Sequence, residues 1–264
     1  MKREELLEMT RNLLLKAGFY CSQICKFRPS SFDFIARKDN LLLIVKILSN
    51  IDALNEEVAN ELLSLAKFLE GVPIVIGSKT CSSQLEDDVV YFRHGVPIIT
   101  YTTLENYLHG ILPFICAAPG GLYVNIDGET LKRIRIEKGI SIGQLARIAG
   151  VSRRTIRMYE RGERPSIEVA TKIADYLGAD FIKPVDLWEE ISKEVVEIKR
   201  EIKDEILKIL EEIGAFIYPT LRSPFHAVSQ ILDEKFIVGV KERRIIEKAK
   251  ICLLYTSPSP RDRG

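Results

Sequence analysis

Three arginines crowd into a five-residue span of this chain: Arg153, Arg154 and Arg157. On a helix, residues three and four apart share a face, so Arg157 stands beside both of the others. A guanidinium is the commonest reader of guanine O6 and N7, and each well-formed pair gives about 1–3 kcal/mol of discrimination. Gln144, Ser152 and Thr155 lie close in sequence and suit phosphate or mixed contacts, which fix register without reading sequence. The chemistry is therefore non-covalent recognition of a polyanion with a patterned edge. Glu160 suits a bond inside the domain better than cytosine reading. The plain alternative for the arginines is a solvated helix face, and the surrounding text decides between the two.

That text is SIGQLARIAGVSRRTIRMYERGERPS (residues 141–166). Ser141 and Gln144 have capping-box spacing, which starts a helix. Ala146 is small where two helices must cross. Gly150 suits the left-handed backbone of a tight turn. Val151 plugs that turn into a core, and Ser152 caps the next helix. Ile156 and Tyr159 face inward, opposite the arginines. Gly162 ends the helix, and Ser166 caps another whose Ala170, Ile173, Ala174 and Leu177 form an apolar stripe. Gln144, Leu145, Ala146, Gly150, Val151, Ser152, Ile156, Tyr159, Glu160 and Gly162 together resemble the Cro and phage-repressor type of helix-turn-helix. The resemblance implies a five-helix domain whose third helix, about residues 153–161, enters the major groove of double-stranded DNA. Charge points the same way: residues 127–186 hold twelve basic and nine acidic side chains, a local excess of three.

The whole chain carries no such excess. It has 264 residues, 46% hydrophobic and 28% charged, with 38 basic and 37 acidic side chains. That is the profile of a folded, water-soluble protein of roughly two domains. No apolar run reaches the roughly 18 residues a membrane span needs. LLLIVKIL (residues 41–48) is strand-sized and broken by Lys46. The amino terminus alternates charge and apolar residues and has no secretory core. Five cysteines without a CxxC pair fit a reduced, cytoplasmic setting. CLLYTSPSPRD (residues 252–262) departs abruptly from the preceding text and resembles one reading frame of a sequencing-library transposase adapter. Residues 252–264 are therefore expected to be an artefact. Removing the tail's two arginines and one aspartate leaves 36 basic and 36 acidic residues. A nucleic-acid site must then be a local patch.

Upstream, residues 3–17 read as an amphipathic helix with Leu6, Met9 and Leu13 on one face and Gly18 as its stop. Residues 32–36 and 41–48 read as strands around the turn Arg37-Lys38-Asp39-Asn40. Residues 52–70 return to helical period, 72–76, 89–92 and 96–100 read as strands, and 103–108 as a short helix. ILPFICAAPGGLYVNIDG (residues 111–128) reads as a connector with one short strand at 122–126. After the helical stretch comes a charged helix, roughly 189–213, and then strands at 215–219 and 235–241. Residues 4–46 are echoed by residues 204–241: helix, glycine, aromatic-rich strand, strand, charged turn, strand.

The amino-terminal stretch resembles the restriction-endonuclease and Holliday-junction-resolvase fold. Active members place an Asp near one strand and Glu-x-Lys on the next, where the carboxylates hold a divalent metal. Asp33 fits the first position. The second reads Ile44-Val45-Lys46, and an apolar Ile cannot ligate a hard cation. The echo reads His226, then Gly239-Val240-Lys241. No catalytic residue and no metal or other cofactor is therefore expected. His94 and His109 have no partner at metal spacing, and Cys21 and Cys25 read as ordinary packing residues.

The expected architecture is multidomain, α/β plus all-α. Residues 1–110 form a degenerate nuclease-like α/β domain, 111–126 a connector, 127–188 the Cro-type helix-turn-helix domain, and 189–251 a helix plus a truncated second α/β segment. The arrangement resembles a group of archaeal helix-turn-helix transcriptional regulators. It implies a cytoplasmic, non-enzymatic, sequence-specific DNA-binding protein acting as a homodimer, with no membrane partner. Two alternatives stand beside it. One is a helix-turn-helix-guided, metal-dependent nuclease recruiting Glu56 or Glu57. The other is an antitoxin or protein-interaction module.

Overall fold

The computed structural model describes residues 2–25, 30–187, 205–212, 214–220, 223, 226–231 and 234–238. In chain order the elements are α1 (Arg3–Lys16), β1 (Tyr20–Cys21), β2 (Phe34–Lys38), β3 (Leu41–Asn50), α2 (Glu56–Leu69), β4 (Val72–Lys79), β5 (Val89–Arg93), β6 (Val96–Ile99), α3 (Tyr101–Leu108), β7 (Ile115–Ala118), β8 (Gly121–Val124), α4 (Gly128–Glu137), α5 (Ile142–Ala149), α6 (Arg153–Tyr159), α7 (Ile167–Leu177), α8 (Glu205–Glu212), β9 (Phe216–Pro219), β10 (Ala227–Ile231) and β11 (Glu234–Val238). They divide into two compact units, one of Met1–Gln84, Arg93–Tyr101 and Ile191–Gly264, the other of Leu85–Phe92 and Thr102–Glu190.

The first unit is built on β3. Its run from Leu42 to Ile47 is buried throughout, as expected of a strand covered on both faces. β2 pairs with it antiparallel, Phe34 opposite Val45, across a turn in which Asp39 takes φ +49°. β4 pairs with its other edge in parallel, Leu43 opposite Val72, and β6 follows in parallel with Val75 opposite Ile98. The parallel step needs a crossover, and α2 supplies it. Asn55 caps α2 by accepting the Val58 N–H at 2.9 Å. The buried stripe of α1 is Leu6, Leu7, Thr10, Leu13 and Leu14. Met9, expected on that face, is exposed, because the helical period carries the stripe through Thr10.

In the same unit, α8, β9, β10 and β11 close over Leu207, Ala215, Ile217 and Ala227. Their order repeats that of α1, β1, β2 and β3. The turn glycines Gly18 and Gly214 have φ of +88° and +92°. In each set the three strands pair antiparallel, with β2 and β10 in the middle position. The Asp33 N–H donates to the Val45 carbonyl at 2.8 Å, and the His226 N–H donates to the Val238 carbonyl at 2.9 Å. His226 therefore matches Asp33, as expected, while Val238 matches Val45. In sequence the residue at the Lys46 position is then Gly239, and Lys241 is displaced by two. Most of the expected helix at 189–213, and residues 239–264, lie outside the described residues.

In the second unit, β5 pairs in parallel with β7, and β7 turns back antiparallel into β8. The stretch expected as a connector is therefore a hairpin, with β7 as a strand that its brevity and flanking prolines hid. Four helices, α4 to α7, follow. The resemblance implied five within residues 127–188, and the described residues there form these four. Their core includes Val124, Ile126, Leu131, Leu145, Ala146, Ile156, Tyr159, Ile173 and Phe181. β8 is tied to it by Val124 N–H to the Pro165 carbonyl at 2.9 Å, and Asp127 N–H bonds the Phe181 carbonyl at 2.8 Å.

Candidate nucleic-acid interface

The helix ends of the second unit are set by side-chain oxygens. Asp127 caps α4 by accepting the Thr130 N–H at 2.9 Å. Ser141 accepts the Gln144 N–H at 3.2 Å, and Gln144 Oε1 accepts the Ser141 N–H at 2.8 Å, a complete capping box on α5. Gly150 then adopts φ +70°, the left-handed turn, and Val151 N–H bonds the Ala146 carbonyl at 3.0 Å. Ser152 caps α6 by accepting the Thr155 N–H at 3.0 Å. Each cap spares a backbone donor that the helix cannot satisfy itself, and losing one costs about 1 kcal/mol.

Two contacts fix α6 against α4. A Cβ on Gly128 would stand 2.5 Å from the Tyr159 carbonyl oxygen and 2.6 Å from the Gly162 nitrogen. Only glycine lets the start of α4 meet the end of α6 this closely. The second is a buried ion pair. Arg135 of α4 and Glu160, which follows α6, are 10% and 8% exposed in their side chains. Arg135 Nε donates to Glu160 Oε1, Nη2 donates to Oε2 at 3.3 Å, and Nη1 donates to the Ile140 carbonyl at 2.9 Å. The two-pronged geometry suits a guanidinium and would not suit a lysine.

With Ile156 and Tyr159 buried, α6 turns Arg153, Arg154 and Arg157 to solvent. Ser152 and Gln144 are exposed beside them, and Thr155 is half-buried with its hydroxyl 2.8 Å from that of Ser152. The guanidinium of Arg153 lies over the first turn of α5, where a Cβ on Gly143 would be 3.0 Å from Nε. Burial and the nearby charge of Glu163 hold the Tyr159 phenol above its ordinary pKa, so it stays neutral. Two basic residues leave the set available to a ligand. Arg135 is in the buried pair, and Arg164 donates from Nε to Asn125 Oδ1 at 3.0 Å. Sequence spacing marked Glu160 as an internal bonding residue but not its partner.

The nuclease-like positions are arranged differently. Asp33 is wholly buried. One carboxylate oxygen pairs with Arg3, and the other accepts the Ile47 N–H at 2.7 Å. Ile44 is wholly buried on the central strand, and Lys46 donates to the Ser30 carbonyl. Glu56 and Glu57 are exposed, while Glu61, which spacing did not single out, is the wholly buried acid of α2. Among the described residues no group of three His, Cys, Asp or Glu side chains could hold a metal ion. An arginine against Asp33 and an isoleucine at the second position do not fit a divalent cation. Among the described residues, no helix is long and apolar enough to cross a membrane.

A family model of the PD-(D/E)XK superfamily domain matches residues 3–113, and a helix-turn-helix model matches residues 131–182. Curated relatives carry the name "Putative HTH-type transcriptional regulatory protein". One from Methanococcoides burtonii is 41% identical over 253 residues, covering 92% of this chain and 78% of its own length. One from Archaeoglobus fulgidus is 38% identical over 247 residues, covering 92% and 80%. One from Methanocella arvoryzae is 41% identical over 262 residues, covering 95% and 81%. No solved structure matches the chain.

Proposed function

The chain belongs to this family of archaeal HTH-type transcriptional regulatory proteins, and from that premise we propose how it reads DNA. It is a DNA-binding transcriptional regulator whose α6 lies in the major groove. Arg153, Arg154 and Arg157 take base edges, and Gln144, Ser152 and Thr155 take phosphate or mixed contacts. The observation that carries this reading is the division of α6. Ile156 and Tyr159 lock one face into the core, and the three arginines stand on the other. Residues 127–188 are the reading head, flanked by residues 1–110 and 189–251.

One such head reads only a few base pairs. Two copies on half-sites about 34 Å apart supply affinity and a palindromic preference, so the working form is a homodimer on cytoplasmic DNA. The nuclease-like domain is a scaffold and does not cleave, a reading supported by Ile44 and by the Arg3–Asp33 pair.

Selection from random duplex DNA with the full chain, at about 150 mM salt where non-specific binding is weak, tests the proposal. The parent should enrich a palindrome, and the Arg153, Arg154, Arg157 triple alanine variant should enrich nothing. Each single alanine should relax one base position by roughly 5- to 150-fold. Equal enrichment by parent and triple variant would move the reading head away from α6.

A further inference from the structure

The loop between β1 and β2 ends in more buried polar groups than a strand junction requires. Ser30, Ser31 and Asp33 are all buried there, and Glu61 of α2 is wholly buried beside them. A carboxyl group taken from water needs hydrogen-bond donors. One of the donors of Glu61 comes from the far end of the chain. Ser223 Oγ donates to Glu61 Oε1 at 2.9 Å across 162 residues of sequence. Ser31 Oγ lies 3.4 Å from the same oxygen. The two serine hydroxyls are 3.2 Å apart.

Ser31 and Ser223 occupy corresponding loops. Ser31 precedes Asp33 and β2; Ser223 precedes His226 and β10. Asp33 and His226 make the same backbone bond, to Val45 and Val238 respectively. The helix, the positive-φ glycine and the order of three antiparallel strands repeat as well. Like loop thus meets like loop within one compact unit.

We propose that α1–β3 and α8–β11 are two copies of one fold that associate inside the chain as the subunits of a dimer would, with Ser31, Ser223 and Glu61 at the junction. Serine suits this place because its hydroxyl donates and accepts at once, so two serines and one carboxyl group form a continuous chain of bonds. The loop that carries Asp33, the position the nuclease resemblance assigns to metal chemistry, serves as a joint. The helix-turn-helix stretch lies between the copies in sequence, so the chain leaves and rejoins one body on either side of it. Pairing of two whole chains on DNA must then use a surface other than these loops.

The test is a full-chain Ser31→Cys, Ser223→Cys variant, oxidised mildly and mapped by peptide mass spectrometry. Side-chain atoms 3.2 Å apart are close enough for a bridge without large backbone movement. The expected product is a 31–223 disulfide within single chains, in excess over links to the native cysteines. An equimolar mixture of isotopically heavy and light chains should yield no mixed-mass 31–223 peptide. Absence of the link while both thiols alkylate, or a mixed-mass link, overturns the proposal. Glu61→Gln and Glu61→Ala supply a second readout. In Glu61→Ala, hydrogen exchange at residues 226–231 should quicken at least tenfold while α4–α7 keep their protection, and Glu61→Gln should restore part of it. Unchanged exchange in both variants would remove Glu61 from the junction. DNA selection by these variants reports separately on the α6 reading.

Discussion

Replacing Glu160 with alanine should destabilise the helical unit by about 3–5 kcal/mol, because it strands a buried guanidinium. The size follows from the geometry. Arg135 spends two of its three nitrogens on Glu160 and the third on the Ile140 carbonyl, with side chains only 10% and 8% exposed. The Arg135→Met, Glu160→Leu double variant buries no charge and should recover most of the loss. What remains is the Ile140 carbonyl without its donor, about 1–3 kcal/mol. A chain of two units does not unfold as one two-state body, so a single melting temperature would mix them. The assay is hydrogen exchange of the most protected amides in α4–α7. At 1.36 kcal/mol per decade, Glu160→Ala should speed them by between about 150-fold and 5,000-fold. The double variant should fall to about 150-fold or less. If Glu160→Ala changes exchange by less than about fivefold, or the double variant is no better than the single, the pair does not hold α6 against α4 as argued.

Gly128→Ala should disturb the same junction by overpacking. Its Cβ would lie 2.5 Å from a backbone oxygen that cannot rotate away, so a loss of at least about 1–3 kcal/mol is expected, read as faster exchange in α4 and α6. Incubating the full chain with magnesium or manganese and plasmid, linear or branched DNA should give no cleavage, and a cut abolished by Asp33→Ala would revive the nuclease reading. Burial first, and then the charge of Asp186, push the Tyr107 phenol up to about 12. The unfolded chain releases that proton near the ordinary value of 10, so between the two the folded state holds more protons. Stability of the second unit should accordingly fall as pH rises from about 10 to 12, and Tyr107→Phe should flatten that limb of a pH–denaturation series.

The helix-turn-helix was legible in residue types because its determinants are local. A capping box spans four residues, a left-handed turn needs one glycine, and a stripe of apolar residues needs only helical period. Ser141, Gln144, Gly150, Ser152, Ile156 and Tyr159 carried that information themselves, and the structure gives each the place its chemistry called for. That position 44 carries no carboxylate was also legible, since an isoleucine side chain has no oxygen to offer. The most-buried face of α1 was legible only in part: periodicity found Leu6 and Leu13 but set Met9 where Thr10 belongs.

Tertiary structure decided everything that depends on residues far apart in sequence. Arg135 and Glu160 are 25 residues apart, and nothing local distinguishes Arg135 from the arginines that face solvent. Arg164 likewise reads as one more cation until Asn125 meets it. β7 is four residues long, too short for a period, and becomes a strand because β5 and β8 supply its hydrogen bonds. The echo between residues 4–46 and 204–241 could be read in the amino-acid order, but its register was misplaced by two. Strand pairing is fixed by which carbonyl faces which N–H, and a pattern of period two looks the same after a shift of two. The meeting of Ser223 with Ser31 and Glu61 has no local signature, because only the folded chain brings residues 192 and 162 positions apart within hydrogen-bond reach.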